Sequence, residues 1–238
     1  HLGDTVKTIE GKGTVKKVVT TYGATIETDI VILAAGVRPN TELAKEIGVT
    51  IGATGAVAVN SKMQTNIQDV YAVGDVAESF SAITGKPIYR PLGSTANKMG
   101  RIAGDVITGG NLEHRGVLGT GIFRVFDLHV GQTGMTEKEA KAADYSVEVL
   151  YNIKPDHAEY LGGKELIIKA LADKATGRVL GAQVLGSQGV DKRIDVLATA
   201  ITFKAKAEDL FHLDLAYAPP FATTKDPIHY TGMALDNA

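Results

Sequence analysis

A glycine followed by an aspartate ends an apolar segment in the first third of the chain. Val70-Tyr71-Ala72-Val73 is predicted to form a buried strand, and Gly74-Asp75 follows it directly. Gly74 has no side chain to obstruct a ligand, and the Asp75 carboxylate, placed at a helix N-terminus, can accept a hydrogen bond from a ligand hydroxyl group. The alternative is a Gly-Asp turn that only caps a helix.

A second group of candidate residues lies near the end of the chain, where Tyr217-Ala218-Pro219-Pro220-Phe221 precedes Lys225. The two prolines favour an extended and rigid segment, which suits a tyrosine that is held at a fixed place. A phenol can hydrogen-bond a thiolate or donate a proton to it. The Lys225 ammonium can attract a phosphate. The alternatives are a half-buried aromatic at a subunit interface for Tyr217 and a solvated cation for Lys225.

Other catalytic and metal-binding patterns are absent from the sequence. No G-x-G-x-x-G, P-loop, G-x-S-x-G or H-E-x-x-H occurs. The six histidines do not have the spacing of metal ligands, so we expect no metal site. Cysteine is absent, so this chain supplies neither a disulfide nor thiol chemistry.

Composition and charge exclude several classes of partner. The 238 residues include 25 Lys plus Arg and 27 Asp plus Glu, so no strong field attracts a polyanion and we expect no nucleic-acid partner. The longest apolar runs, such as residues 30–36, are far shorter than the roughly 20 residues that cross a bilayer, so we expect no membrane span. The first residues are charged and glycine-rich, unlike a signal peptide, which favours a cytoplasmic piece of a longer polypeptide.

The front part of the chain combines strands with a helix. Residues 15–28 predict a hairpin, and residues 30–36 predict a strand buried on both faces of a parallel sheet. Residues 95–107 predict a helix that ends before Gly109-Gly110. Shorter elements are predicted for residues 42–47, a helix, and 57–59, a strand. We therefore predict an α/β part over residues 1–112.

The part after residue 112 changes character. Strands are predicted over residues 121–126, 146–153, 166–173 and 179–185. Thr136 and Glu139 can form a capping box that begins a helix over residues 137–143, and a last short helix is predicted over residues 207–211. Strands followed by helices predict an α+β domain with an antiparallel sheet over residues 113–238.

One predicted helix of this domain, over residues 190–203, carries an apolar face. That face needs cover from its own subunit or, as we expect, from a second copy of the chain. The face consists of Val190, Ile194, Leu197 and Ile201.

Residues 65–75 resemble T-x-x-x-x-V/I-Y/F-A-x-G-D, the second flavin-binding motif of the pyridine nucleotide-disulfide oxidoreductases. Residues 28–40 resemble the strand that links the NAD(P)H domain of this family to its flavin domain, and residues 91–101 resemble the segment that brings a helix N-terminus to the flavin. The resemblance implies part of a three-layer FAD/NAD(P)-binding domain. It also implies FAD contacts at Gly36, Val73, Gly74, Asp75, Leu92, Thr95 and Ala96.

The last 120 residues resemble the interface domain that makes these reductases homodimers. The Y-A-P-P-F segment and Lys225-Asp226-Pro227 are similar to the CoA-disulfide reductase branch, which includes persulfide reductases and is related to NADH oxidases. Residues 157–163 resemble its H-A-x-Y-Y-P-G segment, although Leu161 and Gly162 replace Tyr and Pro. The resemblance implies Tyr217 and Tyr160 as catalytic residues. It implies Asn97, Tyr217 and Lys225 as contacts of a thiol substrate.

In the intact protein, the resemblance implies a homodimer that uses NAD(P)H and FAD to reduce CoA disulfide or a persulfide. The single redox-active Cys and the first flavin fingerprint are expected in a front half that this chain does not contain, so the chain alone is expected to be inactive. An NADH oxidase or peroxidase of the same superfamily is one alternative, and a non-catalytic dimerisation module is another. The residues that choose NADH or NADPH are expected in the front half.

Overall fold

A computed structural model describes residues 1–236 and divides the chain into two units, His1–Arg38 and a second unit that begins at Pro39. The predicted class, an α/β part followed by an α+β part with an antiparallel sheet, is confirmed. The predicted domain boundary between residues 112 and 113 stays a prediction. Residues 237 and 238 of the predicted second domain lie outside the described residues.

The first unit contains a three-stranded antiparallel sheet in sequence order. Its strands are β1 (Val6–Lys12), β2 (Thr14–Thr20) and β3 (Thr25–Glu27). The hairpin predicted over residues 15–28 is confirmed by the pairing of β2 with β3. Gly23, with φ +88°, supplies the left-handed backbone of its turn.

The buried parallel strand predicted for residues 30–36 is wrong. This segment forms no strand within the described residues, and the side chains of Ile30, Ile32 and Leu33 are at least three-quarters exposed. A strand of a parallel sheet needs hydrogen-bonded neighbours, and no strand of residues 1–236 pairs with this segment. Its apolar side chains therefore lie on the surface.

The second unit begins with short elements and one long helix. They are helix α1 (Glu42–Glu46), the hairpin of β4 (Ser79–Phe80) and β5 (Pro87–Ile88), and helix α2 (Gly93–Ile107). Helix α2 begins two residues before the predicted start and ends, as predicted, before Gly109, which has φ +92°.

The strands predicted for residues 57–59 and 70–73 are wrong as strands. Val57 forms isolated bridges with Ile51 and Ala77, and Tyr71 forms one with Gln64. Left-handed backbone at Met63 and Asp69, with φ of 63° and 61°, interrupts the extended chain around Tyr71 and limits its pairing to a single residue.

A five-stranded antiparallel sheet organises the rest of the second unit. In sheet order its strands are β6 (Gly121–Val125), β7 (Leu128–Gly134), β10 (Val179–Gly186), β9 (Glu165–Asp173) and β8 (Val147–Pro155). The sequence predicted four of them but not β7, whose glycines and polar residues weaken the strand pattern.

Four helices accompany this sheet. They are α3 (Glu137–Ala142), α4 (Val190–Thr202), α5 (Ala207–Phe211) and α6 (Pro227–Asp236). The sequence did not predict α6. The predicted capping box at α3 is confirmed, because Glu139 N–H donates to Thr136 Oγ1 at 3.2 Å and Thr136 N–H donates to the Glu139 carboxylate at 2.8 Å.

The expectation that a second copy covers the apolar face of α4 is wrong. Val190, Ile194, Leu197 and Ile201 are at most 4% exposed within the chain itself. They belong to the core cluster that the central strands β9 and β10 also form. Because the sheet already buries this face, the face is not available to a second copy of the chain.

Helix α4 approaches the sheet closely at Gly131, where a Cβ would overlap Cγ1 of Ile194. We expect Gly131→Ala to lower the free energy of unfolding by about 1–3 kcal/mol, since an extra methyl group in a packed core forces side chains or backbone to shift. Urea unfolding measures the change. Gly121→Ala is the matched control because a Cβ there has no neighbour within 4 Å; equal effects in the two variants would contradict the packing argument.

Glu137 joins helix α3 to the sheet. Hydrogen bonds from Lys141 and Lys169, together with their charges, lower the pKa of Glu137 from 4.5 to about 2. A carboxyl group with a lowered folded-state pKa stabilises the fold above its unfolded pKa and loses that contribution as the pH falls towards the folded value.

We therefore expect Glu137→Gln to be less stable than the parent at pH 7, with a difference that shrinks between about pH 4.5 and pH 2. Chemical denaturation across this pH range measures it. Glu113→Gln, at an exposed position, is the control. A difference between parent and Glu137→Gln that is the same at pH 7 and pH 2 would show that the two lysines do not act on this carboxylate.

Candidate functional site

The Gly74-Asp75 pair lies in a single turn of 3₁₀ helix, Gly74–Val76, rather than at the start of an α-helix. Gly74 has φ +75°, a backbone conformation that favours glycine. The Tyr89 hydroxyl donates to the Asp75 carbonyl at 2.9 Å and fixes the turn. Burial, followed by the charge of Asp75, raises the pKa of Tyr89. The Asp75 carboxylate itself is exposed and accepts no hydrogen bond from residues 1–236.

The first turn of α2 lies beside this turn, since a Cβ at Gly74 would contact the Ala96 Cβ at 3.6 Å. Leu92 precedes the helix with extended backbone, and no side chain caps the N-terminus. The first hydrogen bond of the helix runs from Ala96 N–H to the Leu92 carbonyl at 2.9 Å. The earlier N–H groups are therefore free to bind a ligand.

Buried side chains of α2 hold this arrangement in place. Thr95 is buried, and Met99 belongs to a core cluster against which Val73 packs. Asn97 lies on the exposed side, where its Oδ1 accepts from Arg101 Nε at 3.1 Å. Gly36 belongs to the first unit, where it is exposed with φ +95°.

These residues of the second unit fit a polar, negatively charged cofactor. An uncapped N-terminus of a 15-residue helix carries free donors and a positive end. The adjacent turn adds a carboxylate that can accept from ligand hydroxyl groups, next to a glycine without a side chain.

The second candidate group lies on two surface segments. Tyr217 and Tyr160 are 52% and 78% exposed, and a single turn of 3₁₀ helix, Glu159–Leu161, carries Tyr160. Ala158 N–H donates to the Pro219 carbonyl at 3.2 Å. The structure therefore joins the loop of residues 157–163 to the Y-A-P-P-F segment.

Lys225 lies near a second cation that the sequence did not point to. The Nζ atoms of Lys225 and Lys154 lie 5.0 and 4.4 Å from the centroid of the Tyr230 ring. Each distance is suited to a cation–π contact. Two ammonium groups on one ring concentrate positive charge beside the segment that carries Tyr217.

Sequence reasoning missed the buried charges that support these segments. Arg193 is 1% exposed and pairs with Asp226, with Nη2 to Oδ2 at 2.8 Å and Nε to Oδ1 at 3.3 Å. Its Nη2 also donates to the Asp156 carbonyl at 2.8 Å. A signal for the buried cation was present, because Arg193 interrupts the apolar face of α4 next to Ile194, but no sequence pattern pointed to Asp226 as its partner.

The two candidate groups remain separate within one chain. Among residues 1–236, no hydrogen bond or ion pair joins the Gly74 turn and α2 to the segments that carry Tyr160 and Tyr217.

No group of three or more His, Asp or Glu side chains in the described residues could hold a metal ion. No helix there is long and apolar enough to span a bilayer.

Two family models match the chain. The model for pyridine nucleotide-disulphide oxidoreductases matches residues 1–99, and the model for the dimerisation domain of the same family matches residues 122–227. The chain belongs to the pyridine nucleotide-disulphide oxidoreductase family.

Two curated proteins and one solved structure are similar to most of this chain. An NAD(P)H sulfur oxidoreductase (CoA-dependent) of Pyrococcus furiosus is 46% identical over 96% of this chain and 51% of its own length. An NADH oxidase of Methanocaldococcus jannaschii is 38% identical over 87% of this chain and 46% of its own. The structure of an NAD-dependent persulfide reductase from A. fulgidus superposes with a TM-score of 0.94 at 38% identity, over 98% of this chain and 43% of that one. The chain spans about half the length of the curated relatives it matches.

Proposed function

We propose that this chain is part of a homodimeric NAD(P)H-dependent flavoprotein that reduces CoA disulfide or a CoA persulfide. The observation that carries the proposal is the hydrogen bond from Ala158 N–H to the Pro219 carbonyl. It brings together the two segments by which the chain resembles CoA-disulfide and persulfide reductases. The names of the P. furiosus and A. fulgidus relatives support the same class of substrate.

The cofactor site consists of the Gly74-Asp75 turn, the first turn of α2 at Leu92, Thr95 and Ala96, and the backbone of Val73. Gly36, which lies in the first unit, stays a prediction from the sequence. FAD supplies, when bound, the two-electron centre between NAD(P)H and the disulfide. The Asp75 carboxylate accepts hydrogen bonds from ribityl hydroxyl groups. The free N–H groups and the positive end of α2 stabilise negative charge on the isoalloxazine.

The residues of the second group act on the thiol substrate. Overall, one hydride and one proton convert one CoA disulfide into two CoA thiols. We place the redox-active Cys in the N-terminal half, where its thiolate exchanges with the substrate disulfide. The Tyr217 hydroxyl hydrogen-bonds the departing thiolate or donates a proton to it, with Tyr160 as a second phenol. Lys225 attracts the phosphate groups of CoA, and Asn97 contacts the thiol end.

A homodimer explains why the two groups of residues are separate within one chain. The Tyr217 segment of one subunit then serves the cofactor site of its partner. The β6–β7 hairpin offers an apolar surface for association in place of the buried α4 face. Its exposed apolar side chains are Ile122, Phe123, Val125, Phe126 and Leu128.

An NADH oxidase is the second candidate, and the M. jannaschii relative favours it. In that reaction the Cys cycles through a sulfenic acid rather than a mixed disulfide. The Y-A-P-P-F segment favours the CoA-linked reaction. A cytoplasmic location stays a prediction from the sequence.

Anaerobic turnover of the full-length protein separates the two candidates. We expect CoA disulfide or CoA persulfide to support NAD(P)H oxidation without oxygen. If NAD(P)H oxidation requires oxygen and neither CoA compound supports it under anaerobic conditions, the oxidase would be supported instead.

In the full-length protein, we expect Asp75→Ala to weaken FAD retention by about ten- to a hundredfold, because a charge-assisted hydrogen bond contributes on the order of 1.5–3 kcal/mol. Flavin content after dialysis measures the loss. Asp195→Ala removes an exposed aspartate of helix α4 and serves as the control. Full flavin content in the Asp75 variant would reject this cofactor assignment.

For Tyr217→Phe, which deletes only the hydroxyl, we expect the thiol half-reaction to slow at least tenfold, or about 1.4 kcal/mol in the barrier. FAD content, dimerisation and flavin reduction by NAD(P)H should stay near the parent values. Stopped-flow spectroscopy separates the two half-reactions, and Tyr22→Phe, in an exposed hairpin turn, is the control. An unchanged thiol half-reaction would leave Tyr217 as an interface aromatic.

A further inference from the structure

The segment of residues 217–225 is closed at its base by side chains from α4 and α6. His229 Nδ1 accepts from Asp226 N–H at 3.2 Å, and its Nε2 therefore donates to the Leu213 carbonyl, at 2.9 Å. Lys192 Nζ donates to the Ala216 carbonyl at 3.4 Å and lies 3.6 Å from Asp226 Oδ2. These contacts tie the residue before Tyr217 to the residue after Lys225. We call the three residues that make them, Lys192, Asp226 and His229, the base of the segment, in the sense of its structural support.

Arg193 extends this base to the second segment. It pairs with Asp226, and the same Nη2 group donates to the Asp156 carbonyl at 2.8 Å. Asp156 is buried and immediately precedes the loop that carries Tyr160, where its Oδ1 accepts from Lys164 N–H at 2.9 Å. One buried guanidinium thus connects both segments of the second candidate group.

The two tyrosines have little support of their own, since both side chains are more than half exposed. Their backbone is held instead at Ala158 with Pro219 and at the shared base. A catalytic hydroxyl must be held close to its productive position, and small displacements at such a site cost large factors in rate. The placement of Tyr217 therefore depends on contacts that do not touch the substrate.

We propose that Asp226, with Arg193 and Lys192, is a positioning residue for the thiol half-reaction, because it closes the base of the segment that carries Tyr217 and Lys225. This inference rests on the proposed function. A purely structural ion pair would affect both half-reactions alike when it is lost. Loss of the contacts at the base should instead slow the thiol half-reaction through Tyr217 and leave flavin reduction by NAD(P)H unchanged.

Two variants test the proposal in the full-length enzyme. Lys192→Met removes the hydrogen bond to the Ala216 carbonyl, and the Lys192 side chain is itself partly exposed. The buried Asp226 carboxylate keeps its main countercharge, because Arg193 remains. Asp226→Asn keeps the side-chain volume and removes the charge. Because Asp226→Asn leaves a buried guanidinium without its anion and can fail to fold, Lys192→Met decides the question on its own. Glu137→Gln, which breaks an ion pair between α3 and strand β9, is the control.

We expect Lys192→Met to slow the thiol half-reaction at least tenfold, while flavin reduction by NAD(P)H stays within about twofold of the parent and the control changes neither. Adding Tyr217→Phe to Lys192→Met should slow the thiol half-reaction by no more than about twofold further, because both changes remove the same contribution. Independent, multiplicative effects of the two substitutions would overturn the proposal. So would an unchanged thiol half-reaction or an equal loss in both half-reactions.

Amide hydrogen exchange provides a readout that does not need turnover. Phe221 N–H and Ala222 N–H both donate to the Ala218 carbonyl, at 2.8 and 3.1 Å, and should exchange at least tenfold faster in Lys192→Met but not in Glu137→Gln. Unchanged exchange in Lys192→Met would overturn the proposal that the base orders the segment of residues 217–225. A parent enzyme that reduces its flavin but reacts with neither CoA disulfide nor CoA persulfide would reject the proposed function instead, and the exchange result would still decide whether the base orders the segment.

Discussion

The pairing of Arg193 with Asp226 is the contact on which the last third of the chain depends. A buried guanidinium is costly unless a countercharge and further acceptors surround it. Arg193 meets this requirement with the Asp226 carboxylate and the carbonyl groups of Asp156 and Gly189. These acceptors lie immediately before α6, immediately after β8 and immediately before α4. The need to satisfy one cation therefore fixes the meeting point of three elements.

Packing of α4 against the sheet determines the position of the Arg193 guanidinium. Val190 and Ile194 pack α4 onto β7 at Gly131, where the absence of a side chain permits a close approach. Arg193 lies on the same buried side of the helix, so the packing that buries the apolar residues also carries the guanidinium towards Asp226. Hydrophobic burial supplies the stability. The guanidinium of Arg193 then joins the residues that precede α4 and α6 to the residue that follows β8.

Features that depend on neighbours in the sequence were predicted well, and features that depend on distant residues were not. The capping box of Thr136 and Glu139 and the helix over residues 190–203 need only local spacing. The segment of residues 30–36 has the composition of a buried strand, but no described strand pairs with it. The resemblance pointed to Tyr217 and Lys225, whereas the base beneath them joins residues such as Arg193 and Asp226, whose contact no periodicity reveals.

The exposure of Tyr217 is physically consistent with this division between a buried base and a surface segment. Ordering a chain segment costs about 1–2 kcal/mol per residue in backbone entropy. The large aromatic side chains of residues 217–225 offset little of this cost, since Tyr217 is 52% and Phe221 is 72% exposed. Contacts at the two ends and the restricted backbone of Pro219 and Pro220 must supply the order instead. Because the support is buried and the tyrosine is not, its hydroxyl remains available to a group outside this chain. A segment held in this way can meet a partner with little further loss of entropy on binding.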